Sequence, residues 1–208
     1  MVSLVQKQYE KHPYPPIPFM ALPHKNQGQD LKFELGLKLL KKTNLNCNHT
    51  NHNNIRILVA GCGTIEPLVV AQMHPQASEI IAVDFSQNSL NTLNKRIKLA
   101  KWTNYLTFFL PGRKLPSIKL EQGDLWKWEN GNFDYIIISN VLQHVENGGD
   151  LLKRITTWLK PNGILRMVTY PKHSRIWMRL TSKWLKTNGL RHDTQNITKT
   201  AQEIINQL

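Results

Sequence analysis

Hydrophobic residues along this chain change their spacing near residue 55. Before that point only one stretch is periodic: leucines recur at positions 31, 35, 39 and 40 with charged residues between them, which predicts a first helix lying on a sheet. Residues 1–30 contain the run His-Pro-Tyr-Pro-Pro-Ile-Pro at 12–18, and proline cannot occupy a helix interior. We therefore expect an extended arm over 1–30 and a polar, asparagine-rich loop over 44–54.

After residue 55, short apolar runs alternate with amphipathic stretches. The runs predict strands at 55–60, 79–83, 118–121, 135–139 and 164–168, and the stretches between them predict helices at 66–73, 86–105 and 150–159. Strands that are apolar on both faces and separated by helices indicate a mostly parallel sheet with helices on both sides. The expected fold is a doubly wound α/β sandwich over 31–170.

The last part of the chain fits this pattern less well. Residues 171–208 predict a basic amphipathic helix at 176–185 and a weaker helical stretch at 198–208, without a clear sixth or seventh strand. We expect a basic helical C-terminal segment that is either a truncated end or a separate cap. Truncation is the favoured alternative, and an exposed sheet edge would then promote a homodimer over a monomer.

Composition places the chain among globular proteins, with 40% hydrophobic and 20% charged residues. No run approaches the roughly 20 apolar residues needed to cross a bilayer, and the N-terminus lacks the features of a secretory signal. The sequence therefore predicts a cytoplasmic location, no membrane partner, and free thiols at Cys47 and Cys62.

The net charge of +13 is concentrated at the two ends of the chain. A solvated helix face is the favoured interpretation of the C-terminal excess. A surface for nucleic acid, acidic protein or anionic lipid is the alternative, and nucleic acid is not favoured as a partner. The residues concerned are Lys172, Arg175, Arg179, Lys183, Lys186 and Arg191.

The candidate chemistry lies where the first predicted strand ends. Gly61 and Gly63 form a Gly-x-Gly turn between strand and helix, and such a turn aims free backbone amides at a ligand. Asp84 ends the second strand about 20 residues later, where a carboxylate can accept hydrogen bonds from both ribose hydroxyls. Together they predict a nucleoside site at the carboxyl edge of the sheet.

Five segments in order carry a more specific resemblance: ILVAGCGT, AVDFSQNSL, QGDL, FDYIIISNVLQHV and LKPNGIL. Over 55–170 they are similar to the motifs of class I S-adenosylmethionine-dependent methyltransferases, which have a Rossmann-like fold. The resemblance implies S-adenosylmethionine as cofactor and a small molecule or protein as methyl acceptor. It places the glycine turn under the methionine part, Asp84 at the ribose, Asp124 at the adenine amino group, and residues 139–144 between cofactor and substrate. The implied cofactor-binding residues are Ala60, Gly61, Cys62, Gly63, Asp84, Phe85, Ser86, Asp124, Leu125 and Asn140.

Two positions depart from that family's pattern. Val59 replaces an acid that commonly partners the methionine amino group, and Ile65 replaces a third glycine. The stretch 9–15 resembles an N-terminal arm of a bacterial subgroup that also has valine in place of the acid. In that subgroup the arm lies near the cofactor, so the resemblance implies that Tyr14 helps to close the pocket.

Methyl transfer requires no protein nucleophile, since the sulfonium activates the methyl carbon. Positioning the acceptor is the main task, and removing its proton is a further one. His144 is the candidate base, although a structural role is favoured for it and no catalytic residue is assigned. The Cys47, His49 and His52 run lacks the paired spacing of a zinc site, so no metal is expected.

Two other functions remain as alternatives. A catalytically silent module that binds the cofactor and acts through a partner would carry the same motifs. An NAD-dependent dehydrogenase shares the fold, but it favours Gly-x-Gly-x-x-Gly, and Glu66 stands at the position of the third glycine.

Overall fold

The computed structural model describes residues 4–24, 27–42, 54–106, 115–170, 176–187 and 189. The chain divides into two compact units, residues 1–169 and 170–208. In the first unit the helices are α1 (Leu4–Lys11), α2 (Phe33–Lys42), α3 (Glu66–Met73), α4 (Gln87–Leu106) and α5 (Gly148–Thr156), with 3₁₀ turns at Gln29–Leu31 and Leu142–His144. The strands are β1 (Arg56–Ala60), β2 (Glu79–Asp84), β3 (Ile118–Gln122), β4 (Phe133–Ser139) and β5 (Leu159–Val168).

All five strands run parallel in one sheet, in the order β3-β2-β1-β4-β5. The chain adds β2 and β3 on one side of β1 and then returns to add β4 and β5 on the other side. The strand order therefore reverses at β1, the central strand. In the β1–β2 and β1–β4 ladders, Ala60 aligns with Val83 and with Ile138. The doubly wound α/β architecture predicted from the sequence is confirmed, and the loops after β1, β2 and β4 meet at one edge.

Alternating side chains of the central strands build two cores. Ile57, Val59 and Ile137 face α2, α3 and α4, whereas Leu58, Ala60 and Ile138 face α5, Leu125 and Trp158. The strands are buried on both faces because helices cover both, which explains why their sequences lack polar alternation. The residues directly after the last core residue of each central strand therefore lie at the carboxyl edge of the sheet.

Three boundaries differ from the sequence prediction. The arm is not extended throughout, because residues 4–11 form helix α1 ahead of the prolines. Helix α5 ends at Thr156 rather than at 159, and Leu159 instead pairs with Phe133 in the sheet. An irregularity between Phe133 and Tyr135 then brings Ile164 into register, so β5 begins before the Pro-Asn-Gly turn that the prediction took as its boundary.

The second unit contains helix α6 (Ile176–Thr187), close to the predicted 176–185. Its described side chains are largely exposed and include Trp177, Leu180 and Trp184. Among the described helices, none is both long and apolar enough to span a membrane. The predicted helix at 198–208 and loop positions 44–53, with Cys47, His49 and His52, lie outside the described residues.

Candidate ligand site at the carboxyl edge of the sheet

The predicted site residues come together at the carboxyl edge of four neighbouring strands. Ala60 ends β1 and is followed by the glycine turn, and Asp84 ends β2 and is followed by Phe85 and Ser86. The other predicted residues lie in the loops after β3 and β4, namely Asp124, Leu125 and Asn140. The region around Gly61 is strand, turn and helix, as the sequence predicts. The backbone ties adjacent loops together, since the Gly123 amide donates to the Asp84 carbonyl at 2.9 Å.

The amides of the glycine turn are not free, which corrects the sequence expectation. Gly61 and Cys62 both donate to the carbonyl of Val83, at 2.8 and 3.0 Å. The Gly63 amide donates to Asp84 Oδ2 at 2.8 Å, and the Thr64 amide donates to the Tyr14 carbonyl at 3.1 Å. Periodicity and motif spacing predict the turn but cannot reveal that the turn hydrogen-bonds to its own neighbours.

Glycine is required at the turn because both residues have positive φ, +68° at Gly61 and +57° at Gly63. A Cβ on Gly61 would lie 2.2 Å from Val141 Cγ2, and one on Gly63 would lie 2.6 Å from the Tyr14 carbonyl oxygen. The glycines thus allow the arm and the loop after β4 to approach the turn closely. At these two positions the turn also presents no side chain to the edge, and the Cys62 side chain between them lies in the core.

Asp84 is buried and binds the turn through one carboxylate oxygen and its own loop through the other. Oδ2 accepts from the Gly63 amide, and Oδ1 accepts from the Ser86 amide at 2.9 Å. Burial raises the pKa of Asp84, hydrogen bonds from the backbone of Ser86, Gly63 and Phe85 oppose that rise, and the charge of Glu10 adds to it. A carboxylate offers about four lone-pair sites, so acceptor capacity remains for hydroxyl donors.

Phe85 and Ser86 face the N-terminal helix. The Phe85 ring lies 5.7 Å from the Tyr9 ring, centroid to centroid, and the Ser86 hydroxyl donates to the Tyr9 carbonyl at 3.3 Å. The same hydroxyl accepts from the Ser89 amide at 3.1 Å and so caps α4. Helix α1 therefore covers this part of the edge.

Asp124 and Leu125 begin a turn beside Asp84. Asp124 is exposed, and its Oδ1 accepts from the Trp126 amide at 3.0 Å, which orders the loop locally. Leu125 is 8% exposed and packs in the core beneath the loop. The Asp124 carboxylate thus lies outside the core, next to the loop that carries Phe85.

Asn140 has the left-handed conformation, with φ +58°, directly after β4. Its amide donates to the Val168 carbonyl at 2.8 Å, which fixes the backbone. Its side-chain Oδ1 is buried without a hydrogen-bond partner among the described residues. Because a buried polar atom without a partner is costly, this oxygen is a candidate acceptor for a donor on a ligand.

The N-terminal arm is held over the glycine turn by Arg96 of α4, which the sequence analysis did not identify. Its guanidinium is 0% exposed and donates from Nη1 to the Thr64 carbonyl at 2.5 Å, and from Nη2 to the carbonyls of Ile17 and Pro18 at 2.7 and 3.2 Å. Thr64 adds a hydrogen bond from its hydroxyl to the Pro15 carbonyl at 3.0 Å. Tyr14 contacts the turn through its backbone carbonyl, while its side chain is 52% exposed.

Glu10 fixes the arm at a second place. Its carboxylate accepts from the amides of Gln87 and Asn88, at 2.7 and 3.1 Å, at the start of α4. Amides in a first helical turn lack partners within the helix and favour an anion, so Glu10 acts as a cap supplied from outside the helix. No local sequence signal indicates this contact across 77 residues.

A polar cluster flanks the glycine turn on the side opposite Asp84. Glu66 opens α3, and its Oε1 accepts from the Ser139 hydroxyl at 2.6 Å. Arg166 Nη1 lies 3.4 Å from the same hydroxyl oxygen, and the guanidinium is hydrogen-bonded to both the carbonyl and the carboxylate of Asp30. Burial raises the pKa of Glu66, and the Ser139 hydrogen bond and the charge of Arg166 only partly offset it.

Cys62 and His144 differ in accessibility. Cys62 is buried in the core with 2% exposure, and burial followed by the nearby charges of Asp84 and Glu66 raises its pKa well above the usual value. It therefore acts as a small core side chain rather than as a nucleophile. His144 is exposed, and its ring lies 6.3 Å from the Tyr9 ring.

Comparison with known proteins concerns the family and the fold of this chain. A family model described as a methyltransferase domain matches residues 58–165, more than half of the chain. Among solved structures, PKMT2 from Rickettsia typhi is similar over 78% of this chain and 30% of its own, with 22% identity and a TM-score of 0.58. PKMT2 from the same organism in complex with AdoHcy is similar over 76% of this chain and 30% of its own, with 21% identity and a TM-score of 0.56. At such identities the likeness concerns the fold, and this chain spans less than a third of the PKMT2 length.

Proposed function

Because this chain belongs to the methyltransferase domain family, we propose that it binds S-adenosylmethionine and transfers its methyl group to an acceptor. The observation that carries the proposal is the buried carboxylate of Asp84, fixed against the glycine turn with acceptor capacity left for further donors. Two hydroxyl donors on adjacent carbons, as in ribose, match that arrangement.

The other residues fit the same cofactor. Asn140 presents a buried oxygen without a partner, which a donor on the ligand would satisfy. Gly61 and Gly63 have no side chains that would block an elongated ligand crossing the turn. Phe85 supplies an aromatic ring and Asp124 an exposed carboxylate beside Asp84, suited to the face and the amino group of adenine.

The bound cofactor supplies an activated methyl carbon on a positive sulfur. The protein then has to hold an acceptor in line with that carbon and exclude water, for which positioning is worth about 7–11 kcal/mol. Tyr9 and the backbone at 14–18 cover one side of the edge, and the loop after β4 covers another. His144 follows β4 at this edge, with its ring 6.3 Å from the Tyr9 ring, and is our candidate for accepting a proton from the substrate.

The acceptor is a small molecule or a protein side chain in our proposal. The arm at 9–15 supports assignment to the bacterial subgroup that carries a Tyr-Pro arm, since it packs against Phe85 and the glycine turn. The solved methyltransferase structures that resemble this fold include one in complex with AdoHcy, which is consistent with the same cofactor here.

Calorimetry with S-adenosylhomocysteine tests the proposal directly. We expect the wild-type chain to bind it and not to bind NAD, and we expect Asp84→Asn to weaken binding about 10- to 100-fold, since a charge-assisted acceptor is lost. Asp150→Asn is the matched control, because Asp150 is exposed and pairs only with Lys153 among the described residues. Equal affinities for Asp84→Asn and wild type would refute Asp84 as the ribose partner.

Transfer of a radiolabelled methyl group to a cell extract tests catalysis separately. Labelling that requires the wild-type protein and is reduced by Asp84→Asn supports an enzyme. Tight binding without any labelled product would instead support the silent binding module.

A further inference from the structure

Glu66 is a half-buried acid next to the glycine turn that the proposed function has not yet used. It is the first residue of α3 and follows the turn directly, so its position is set by the same backbone that forms the site. Its side chain turns toward β4, where Ser139 donates to Oε1 at 2.6 Å. This geometry fixes a carboxylate at the carboxyl edge.

The strand register gives its location relative to Asp84. Ala60 at the end of β1 aligns with Val83 on one side and with Ile138 on the other. Asp84 and Ser139 each come one residue later, so they flank the glycine turn from the two neighbouring strands. Adjacent strands are about 4.8 Å apart, which places the backbones of these two residues about 10 Å from each other. A ligand held at Asp84 by its ribose and extended across the turn would reach Glu66.

Glu66 lacks a cationic partner among the described residues. None of the described ion pairs includes it, and Arg166, the nearest guanidinium in the cluster, is hydrogen-bonded to Asp30 instead. The cost of this burial is visible in the raised pKa of the Glu66 carboxyl. A half-buried carboxylate with one hydroxyl donor and no ion pair among the described residues favours binding of an ammonium group.

We propose that Glu66, oriented by Ser139, binds the amino group of the methionine part of the cofactor. This inference rests on the proposed function, because it requires S-adenosylmethionine at the edge of the sheet. It also explains how the chain accommodates Val59, whose side chain is in the core on the same face of the sheet as Ser139, without an acid at that position. Ser139 is a positioning residue in this account, and Glu66 is the ligand-binding group.

The test compares S-adenosylhomocysteine with its deaminated analogue, in which hydrogen replaces the amino group, by calorimetry. We expect wild type to prefer S-adenosylhomocysteine about 10- to 100-fold, the effect of one charge-assisted hydrogen bond. Glu66→Gln should reduce that preference to threefold or less by lowering affinity for S-adenosylhomocysteine alone. Glu129→Gln is the matched control at an exposed position and should retain the wild-type preference.

Other outcomes separate the two proposals. If Glu66→Gln keeps the wild-type preference, or wild type binds both compounds equally, the role of Glu66 is wrong while the cofactor assignment stands. If wild type binds neither compound, the proposed function fails and this inference fails with it. Should Glu66→Gln not fold by circular dichroism, Ser139→Ala decides, because loss of its hydrogen bond should lower the preference at least threefold and an unchanged preference overturns the proposal.

Discussion

Arg96 provides the sharpest test of how the arm is attached to the site. Replacing it with methionine removes three hydrogen bonds, to the carbonyls of Thr64, Ile17 and Pro18, while keeping an unbranched apolar stem in the core. A hydrogen bond to a charged group contributes about 1.5–3 kcal/mol. Removing the buried charge also relieves its desolvation, including that of Nε, which has no partner among the described residues. We expect a net loss of about 2–4 kcal/mol from the free energy of unfolding.

Urea unfolding followed by circular dichroism measures this loss. With a slope of about 2 kcal/mol per molar urea, the midpoint should fall by about 1–2 M. Lys98→Met is the matched control, because Lys98 is exposed on the same helix and the substitution removes the same charge. Its effect should stay within about 0.5 kcal/mol.

A second measurement locates the effect in the arm. The Thr64 amide donates to the Tyr14 carbonyl, so hydrogen exchange at Thr64 reports arm attachment. Arg96→Met should increase exchange there relative to Lys98→Met, and Arg96→Lys should recover less than half of the lost stability, since one ammonium cannot span the fork of Nη1 and Nη2. If Arg96→Met and Lys98→Met unfold at the same urea concentration, the three hydrogen bonds do not hold the arm.

One substitution and one alkylation experiment probe the glycine turn. Gly63→Ala should destabilise the protein by about 1–3 kcal/mol in urea unfolding, because φ is +57° and its Cβ would meet the Tyr14 carbonyl oxygen; Gly131→Ala, which has open space around it, should change stability by less than about 0.5 kcal/mol. Iodoacetamide at pH 8 should modify Cys62 at least tenfold more slowly than glutathione, as read by peptide mapping, because burial raises the pKa of the thiol and keeps thiolate scarce. Rapid alkylation of Cys62 in the folded protein would contradict this account of its burial.

The strands and the position of the site could be predicted because they depend on local patterns. Five short apolar runs predicted the parallel sheet that the structure shows, and the family resemblance predicted which residues lie at its carboxyl edge. Strand ends meet at one edge in any doubly wound sheet, so Asp84, Asp124 and Asn140 converge without knowledge of side-chain contacts.

The contacts that attach the arm could not be predicted in the same way. Helix α1 is short and is held by Glu10 at the start of α4 and by Tyr9 against Phe85, contacts that join residues more than 70 positions apart. Arg96 did leave a signal. It stands three residues after Leu93 and one before Ile97, on the buried side of α4, where a charged residue should have been recognised as a candidate for burial.

The expectation of free amides at the glycine turn failed for a physical reason. The amides of Gly61 and Cys62 reach back to Val83, and that of Gly63 reaches Asp84, because β2 ends directly beside the turn. Asp84 thus holds the turn, in addition to the ligand contact that we propose for it. Spacing along the chain predicts the proposed ligand contact but not the hydrogen bond to the turn.

The reversal of strand order at β1 has a consequence for how this molecule can diversify. The loop after β1 carries the glycine turn and Asp84 ends β2, whereas β4 and β5 continue the sheet in the other direction. Changes in the loops beyond β4 and β5 can therefore accumulate without altering the hydrogen bond that joins Gly63 to Asp84. In a laboratory evolution experiment, variants with new acceptors should arise from libraries randomised at positions 142, 143, 145 and 146, which keep Val141 and His144, while libraries randomised at 61–64 should yield mainly inactive clones.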